Sequence, residues 1–481
     1  MKKFLYGLGA AAALLSANAC LGLGDYQSDV MYPAVYYVNQ FAYNTIGVYY
    51  LWAEDASVQN EMRNWRTDDD PTAKVLKLRY KDEKGNDIDR WTQMTDSYTS
   101  FVGAVDGVSK TFGYDFLLYA TESDKIAAVV SFVYENSPAA KVGLKRGDVI
   151  TSVNGTELTK ENYVKIVNEN MLAGDSCTLG LMGGSTISMN AVQMYCNPVL
   201  MVKTFDCGGK KVGYLHFTSF TQESCGELIA ACDKLKAEGI SELILDLRYN
   251  GGGYVFTEEL LASMLAPESV VSSKSLFMTE VYNSTITKEW AEEGKSYFST
   301  SFKYEDKTYD TSHSNLGITK LYAIMSSGSA SASEALICGL KPYMDVTIVG
   351  EQSHGKFCSG VILKASEWYE SYKDVLTPSD YKYGVSKTED WGIYVMIGRY
   401  ADKDGKTLSM PSGLTPDVEG SDEPSDGYQL GDPRETMLRK TLTLAGYDFP
   451  DVPVTSAAPG LNVKVEKPLR PGFGVFLHEN L

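Results

Sequence analysis

The chain has 481 residues, of which 44% are hydrophobic and 22% charged. These proportions belong to a globular protein of roughly two to four domains and exclude a disordered one. A net charge of −18 argues against nucleic acid and against an anionic lipid surface as partners. No internal stretch approaches the roughly 20 apolar residues of a membrane helix.

The first twenty residues have a composition of their own. Lys2 and Lys3 precede an apolar run from Phe4 to Leu15, and Ala17-Asn18-Ala19 supplies the small residues of a cleavage site. This is the pattern of an export signal, here residues 1–20. Cys20 follows directly and resembles the lipidated cysteine of bacterial lipoproteins. That resemblance implies an exported protein of the periplasm, outer membrane or cell surface. It would touch a membrane only through a lipid on Cys20. Residues 21–35 read as a tether.

Seven further cysteines, Cys177, Cys196, Cys207, Cys225, Cys232, Cys338 and Cys358, show no CxxC spacing. Their odd number implies no full disulfide framework, and a Cys177–Cys196 pairing stays open. The four histidines, His216, His313, His354 and His478, lack ligand spacing, so neither metal nor cofactor is expected.

Residues 36–105 read as a small helical N-terminal region, with a helix over 72–80 and aromatics that belong to a core. From 106 to 205 apolar strands appear, among them 126–133. Ser137-Pro-Ala-Ala-Lys-Val-Gly143 predicts a short helix, with Pro138 at its start and Gly143 past its end. Gly147-Asp148 predicts a turn, 149–153 a strand and Asn154-Gly155 a hairpin turn. This passage resembles a PDZ domain. The resemblance implies that an extended peptide adds to a sheet edge and that its carboxylate rests on backbone amides. Gly113, Tyr114, Asp115 and Phe116 stand where that carboxylate-binding loop is expected, although only Gly113 remains of its glycines.

From 206 to 440 strands and helices alternate. Strands are expected over 211–217, 242–247, 321–325 and 346–349, and helices over 222–238, 256–265 and 332–340. Alternation predicts a mostly parallel sheet with right-handed crossovers. The polar, Tyr- and Ser-rich stretch 270–318 is expected to cover a site. Residues 441–481 read as a C-terminal tail. Its apolar end, 468–477, is expected to dock in the chain's own peptide groove.

Loops 248–253, 326–331 and 350–356 each follow a core strand, so they emerge at one sheet edge, where active sites form. The loop Ser326 to Ser331 leads into a helix N-terminus, which favours developing negative charge. Taken alone, such a loop is usually just an ordinary helix cap. Lys356 ends the third loop. Buried, it would lose its proton readily and act as a base; on the surface it would be a solvated charge. Asn250-Gly-Gly-Gly253 offers exposed amides for an oxyanion, or serves only as a turn. His354 with an aspartate is a further candidate base.

Asp246-Leu-Arg-Tyr-Asn-Gly-Gly-Gly253, Gly328-Ser-Ala-Ser-Ala-Ser-Glu334, Val349-Gly-Glu-Gln-Ser-His-Gly-Lys356 and Gly413-Leu-Thr-Pro-Asp-Val-Glu419 occur in this order. Together with the PDZ-like passage they resemble the C-terminal-processing (tail-specific) serine peptidase family, in its Bacteroidetes lipoprotein form. The resemblance implies an α/β core of crotonase/Clp-like type. It implies Ser331 as nucleophile and Lys356, 25 positions later, as general base. Gly252 and Ala332 supply the implied oxyanion amides. The family often places a glutamine four residues after the lysine; here that position is Gly360. Ser359 or Glu334 is then expected to orient Lys356 instead. The implied activity is endopeptidase cleavage near the C-termini of polypeptide substrates through an acyl-enzyme. The alternative is an inactive, peptide-binding lipoprotein of the same fold.

Overall fold

The computed structural model describes residues 31–121, 124–290, 294–407, 410–449, 461–465 and 476–477. The export signal, Cys20, most of the tether and most of the C-terminal tail lie outside the described residues.

One sheet carries the three loops. Its strands lie in the order Val199–Cys207, Lys210–Phe217, Glu242–Asp246, Lys320–Met325, Asp345–Gly350 and Val418–Glu419. The first pairing is antiparallel and every later one parallel. Leu243, Ile244 and Leu245 are all buried, as a strand covered on both faces requires. Leu243 and Leu245 point to one face and pack with Leu228, Leu260 and Leu336 of helices Ser224–Ala237, Val255–Leu265 and Ala332–Leu340. Ile244 points to the other face and meets Met437, Leu438 and Leu442 of helix Thr436–Leu444. This helix runs across residue 440, because Leu442 still reaches the sheet.

This sheet is mostly parallel, and a second, antiparallel sheet that the alternation did not predict stands beside it. Cys358–Lys364, Gly392–Asp402, Leu276–Tyr282 and Lys295–Tyr297 pair antiparallel in that order. Strand Gln93–Thr95 of the N-terminal region pairs antiparallel with Gly392–Asp402 as well. Part of the segment 270–318 thus forms sheet strands rather than a cover. A β-bulge interrupts the ladder between Ser359 and Gly360.

The N-terminal helices Ala34–Tyr49, Ala56–Arg63, Pro71–Leu78 and Tyr98–Val105 share one core with this second sheet. Tyr37, Phe41, Tyr50 and Trp91 pack in a cluster with Trp368, Tyr369, Tyr394 and Val395. The long helix Ala34–Tyr49 forms despite its β-branched and aromatic residues because it is buried all round from Tyr36 to Ile46, and that burial outweighs weak local propensity. Asp70 caps the Pro71–Leu78 helix, with proline at the first position.

The PDZ sheet is antiparallel throughout. Its order is Leu461–Val465, Tyr114–Thr121, Ile126–Val133, Val149–Val153, Ser176–Leu181 and Thr186–Asn190. Ser137 caps the short helix Pro138–Lys141 through the Ala140 amide. Cys177 and Cys196 are not joined by a disulfide, so the open pairing is not formed.

Candidate active site

The three loops are stitched into one unit by their own backbones. The Ala330 amide donates to the Asn250 carbonyl at 3.1 Å, and the His354 amide to the Ser329 carbonyl at 2.9 Å. The Ser329 hydroxyl donates to the Leu247 carbonyl at 2.7 Å, and the Ser333 hydroxyl to the Asn250 carbonyl at 3.0 Å. The two serines that flank Ser331 in the repeat therefore hold the loops together.

Ser331 is fully buried at the start of helix Ala332–Leu340, with φ 62° and ψ −114°. A side-chain-bearing residue is strained in this region, and such strain persists only where the surroundings enforce it. Here Glu334 supplies the restraint. Its carboxylate accepts the amides of Ser331 at 2.9 Å, Gly355 at 2.7 Å and Lys356 at 2.9 Å, and the Ser353 hydroxyl at 2.5 Å. Burial pushes the Glu334 carboxyl upward, and these donors pull it back. The Tyr400 hydroxyl adds bonds to the carbonyls of Ser331 (3.2 Å) and Lys356 (2.8 Å).

The Lys356 amine is fully buried and lies 3.3 Å from the Ser331 hydroxyl oxygen. It also bonds the Cys358 carbonyl at 2.9 Å and the Tyr394 hydroxyl at 3.1 Å. The rings of Trp91 and Tyr394 each stand 5.5 Å from it. Burial pushes its pKa down to about 8, against the opposing pull of Asp89 and Glu334. A neutral amine at hydrogen-bond distance from a hydroxyl can take up its proton.

Neither expected orienting residue holds the amine. The Ser359 hydroxyl turns to Glu280 Oε2 at 2.8 Å, because the bulge after it directs it away from Lys356. Glu334 binds the Lys356 backbone, not its amine. Tyr394 stands in that role, and its ring reaches the amine because position 360 is glycine. A Cβ there would lie 2.6 Å from Tyr394 Cε2 and 2.7 Å from Met396 Cε. Trp91, Tyr394 and Tyr400 escaped the sequence reading. Tyr394 and Tyr400 are aromatics of the buried strand Gly392–Asp402, and Trp91 lies in the polar stretch 86–93; nothing local marks any of them as lying near Lys356.

The remaining candidates fall as follows. Ala332 is fully buried at the first position of the helix. The Gly252 amide donates to Asn250 Oδ1 at 3.0 Å, within its own loop. The His354 ring meets Trp91 edge-on at 5.9 Å and bonds the Ser327 backbone; burial and then Arg90 lower its pKa to about 4. In the PDZ domain the side chains of Tyr114 and Phe116 are buried. The Gly113 amide donates to Thr111 Oγ1 at 3.1 Å and the Phe116 amide to Asp115 Oδ1 at 2.7 Å.

Comparison with known proteins agrees with this architecture. The family model of Peptidase family S41 matches residues 211–420, and that of the PDZ domain matches residues 129–170. The chain is 26% identical over 269 residues to carboxyl-terminal-processing peptidase 2, chloroplastic, of Arabidopsis thaliana, covering 53% of this chain and 46% of that protein. It is 26% identical over 253 residues to the carboxy-terminal processing protease CtpA of Bacillus subtilis, covering 51% and 47%. The chain thus spans about half the length of the curated relatives it matches. A crystal structure of a Bacteroides fragilis protein assigned as an S41 protease superposes with a TM-score of 0.61 at 22% identity. The match covers 87% of this chain and 98% of that one and shows the shared fold.

Proposed function

Because residues 211–420 belong to peptidase family S41 and a PDZ domain precedes them, we propose that the chain is an exported serine endopeptidase. It cleaves polypeptides near their C-termini, with Ser331 as nucleophile and Lys356 as general base. The observation that carries the reading is the buried Lys356 amine at 3.3 Å from Ser331 Oγ.

In this mechanism neutral Lys356 takes the hydroxyl proton as Ser331 Oγ attacks the scissile carbonyl carbon. The Ala332 amide and the glycine loop at Gly252 hold the oxyanion. For Gly252 to take part, its amide must turn from Asn250 Oδ1. Lys356 then returns the proton to the leaving amine, and water releases the acyl group by the reverse sequence. Relatives named as carboxyl-terminal processing proteases support the substrate class. The sequence of residues 1–20 supports export and lipidation at Cys20.

Ser331→Ala is expected to abolish cleavage of an unstructured polypeptide and labelling by a fluorophosphonate probe, while circular dichroism stays unchanged. Full cleavage by this variant would remove the assignment. The Gly252–Asn250 bond also favours a second reading, peptide binding without turnover. That reading predicts no labelling of the wild-type chain.

A further inference from the structure

The PDZ sheet and the second core sheet are both extended by the same C-terminal part of the chain. Leu461–Val465 adds antiparallel to the edge strand Tyr114–Thr121, with Leu461 opposite Thr121 and Val465 opposite Leu118. Phe476–Leu477 lies parallel to Gly253–Tyr254, with Leu477 opposite Tyr254 and also opposite Gly360. Gly253 ends the glycine loop, and Gly360 stands two residues from Cys358, whose carbonyl holds the Lys356 amine.

We infer that the chain's own C-terminal strands 461–465 and 476–477 occupy the peptide route of the enzyme in cis and hold it inhibited until a substrate displaces them. The inference rests on the peptidase reading for its consequence and on strand pairing for its geometry. Three observations carry it.

First, Tyr114, Asp115 and Phe116, expected in a loop, already belong to the strand Tyr114–Thr121 that follows Gly113, the edge to which a PDZ ligand adds. The chain fills that edge itself. Second, the added strand runs towards the loop, since residues 461 to 465 face 121 back to 118. A C-terminal peptide would run the same way, but sixteen residues follow Val465. The strand is therefore accepted as an internal segment, without its carboxylate. The loop agrees, because the Asp115 carboxylate already holds the Phe116 amide and would repel an incoming carboxylate. Third, the attachment is of a displaceable kind. Besides its backbone ladder it has a part-exposed ion pair from Lys464 to Glu351 at 3.0 Å, and Val465 rests against the PDZ core. Such a part-exposed pair adds little to the attachment. An extended peptide with apolar side chains would make the same ladder and can compete. The tethered strand has the advantage of a high effective concentration.

The test uses a chain ending at Phe449 and the full-length variant Val463→Pro. Val463 pairs with Ala120, and proline there removes a ladder donor. Both are expected to cleave a fluorogenic unstructured polypeptide with kcat/KM raised about tenfold or more, the factor by which occupancy masks the competent state. Amides of strand 114–121 should exchange faster with solvent in both. A synthetic peptide of residues 459–481, added to the shortened chain carrying Ser331→Ala, should slow that exchange again. Unchanged rates together with unchanged exchange would overturn the inference. Exchange that responds as expected in a chain that never cleaves would leave the strands in place as a self-ligand and remove the peptidase reading instead.

Discussion

The Tyr394 hydroxyl lies 3.1 Å from Lys356 Nζ, in space left open by the missing side chain of Gly360. The two positions are coupled across neighbouring strands. A residue larger than glycine at 360 and the tyrosine ring at 394 cannot coexist without movement. Where the resemblance leads one to expect a glutamine at position 360, the chain has a glycine, and the Tyr394 hydroxyl bonds the Lys356 amine instead.

Tyr394→Phe removes one of three partners of the amine and keeps the ring. A hydrogen bond of this kind contributes about 1 kcal/mol. Cleavage kinetics should show kcat reduced about tenfold or less with KM unchanged. A change confined to KM would place Tyr394 in substrate binding instead.

Gly360→Ala forces a Cβ to within 2.6 Å of the Tyr394 ring and 2.8 Å of the Val395 carbonyl. Overpacking of this kind costs about 1–3 kcal/mol. A lower urea midpoint with an unchanged slope should report it. Activity should fall with it, since the ring that moves is the one bonded to Lys356.

The Lys356 pKa of about 8 sets a pH dependence. In the proposed mechanism Lys356 must be neutral to act as base, so kcat/KM should rise with pH and reach half its limit near pH 8. The folded value lies below the unfolded one, near 10.4. The buried ammonium thus costs stability below pH 8, and this cost fades as pH rises towards 10.4. Lys356→Met should accordingly be inactive yet more stable at pH 7, by about 1–3 kcal/mol. Thermal unfolding at pH 7 and pH 10 should show the gain shrinking.

Arg146 joins the PDZ domain to the core through Asp422 at 2.8 Å and Glu435 at 3.2 Å, both also bound by Arg248. Burial raises the Asp422 carboxyl, but Arg146 and Arg248 outweigh it and hold it below the usual range. Its stabilisation is present above the unfolded value of about 4 and is lost as pH falls further. Arg146→Met strands part of this buried charge and should cost about 3–5 kcal/mol. Urea unfolding at pH 7 and pH 3 should show a smaller acid loss in the variant.

His354→Ala should keep activity within about threefold of wild type, because the ring is engaged by Trp91 and Ser327. A loss of a thousandfold would return His354 to the role of base.

Strand–helix alternation, the PDZ-like turn pattern and the meeting of three loops were legible in the sequence because they depend on local periodicity and on chain order. Ser331 and Lys356 meet as expected, since loops that follow parallel strands share an edge. The antiparallel second sheet was not legible. Its strands come from 93, 276, 358 and 392, and pairings at such separation leave no local period. The surroundings of Lys356 were hidden for the same reason. Trp91 lies in the N-terminal region and Tyr394 in a buried strand, and only burial and register bring them to one amine. Ser359 illustrates the limit: its spacing from Lys356 suits an orienting role, and one bulge turns its hydroxyl to Glu280.

The sequence by itself determined the order of domains, the three chemical loops and the serine and lysine within them, because motif and spacing are properties of the chain. The tertiary structure alone decided what surrounds that pair. It placed Tyr394 where a side chain at 360 is missing, and Glu334 on the backbone rather than the amine. It also laid one C-terminal strand on the PDZ edge and another between Gly253–Tyr254 and Cys358–Lys364. Those outcomes depend on which side chains occupy the same volume, and packing settles that only when distant segments meet.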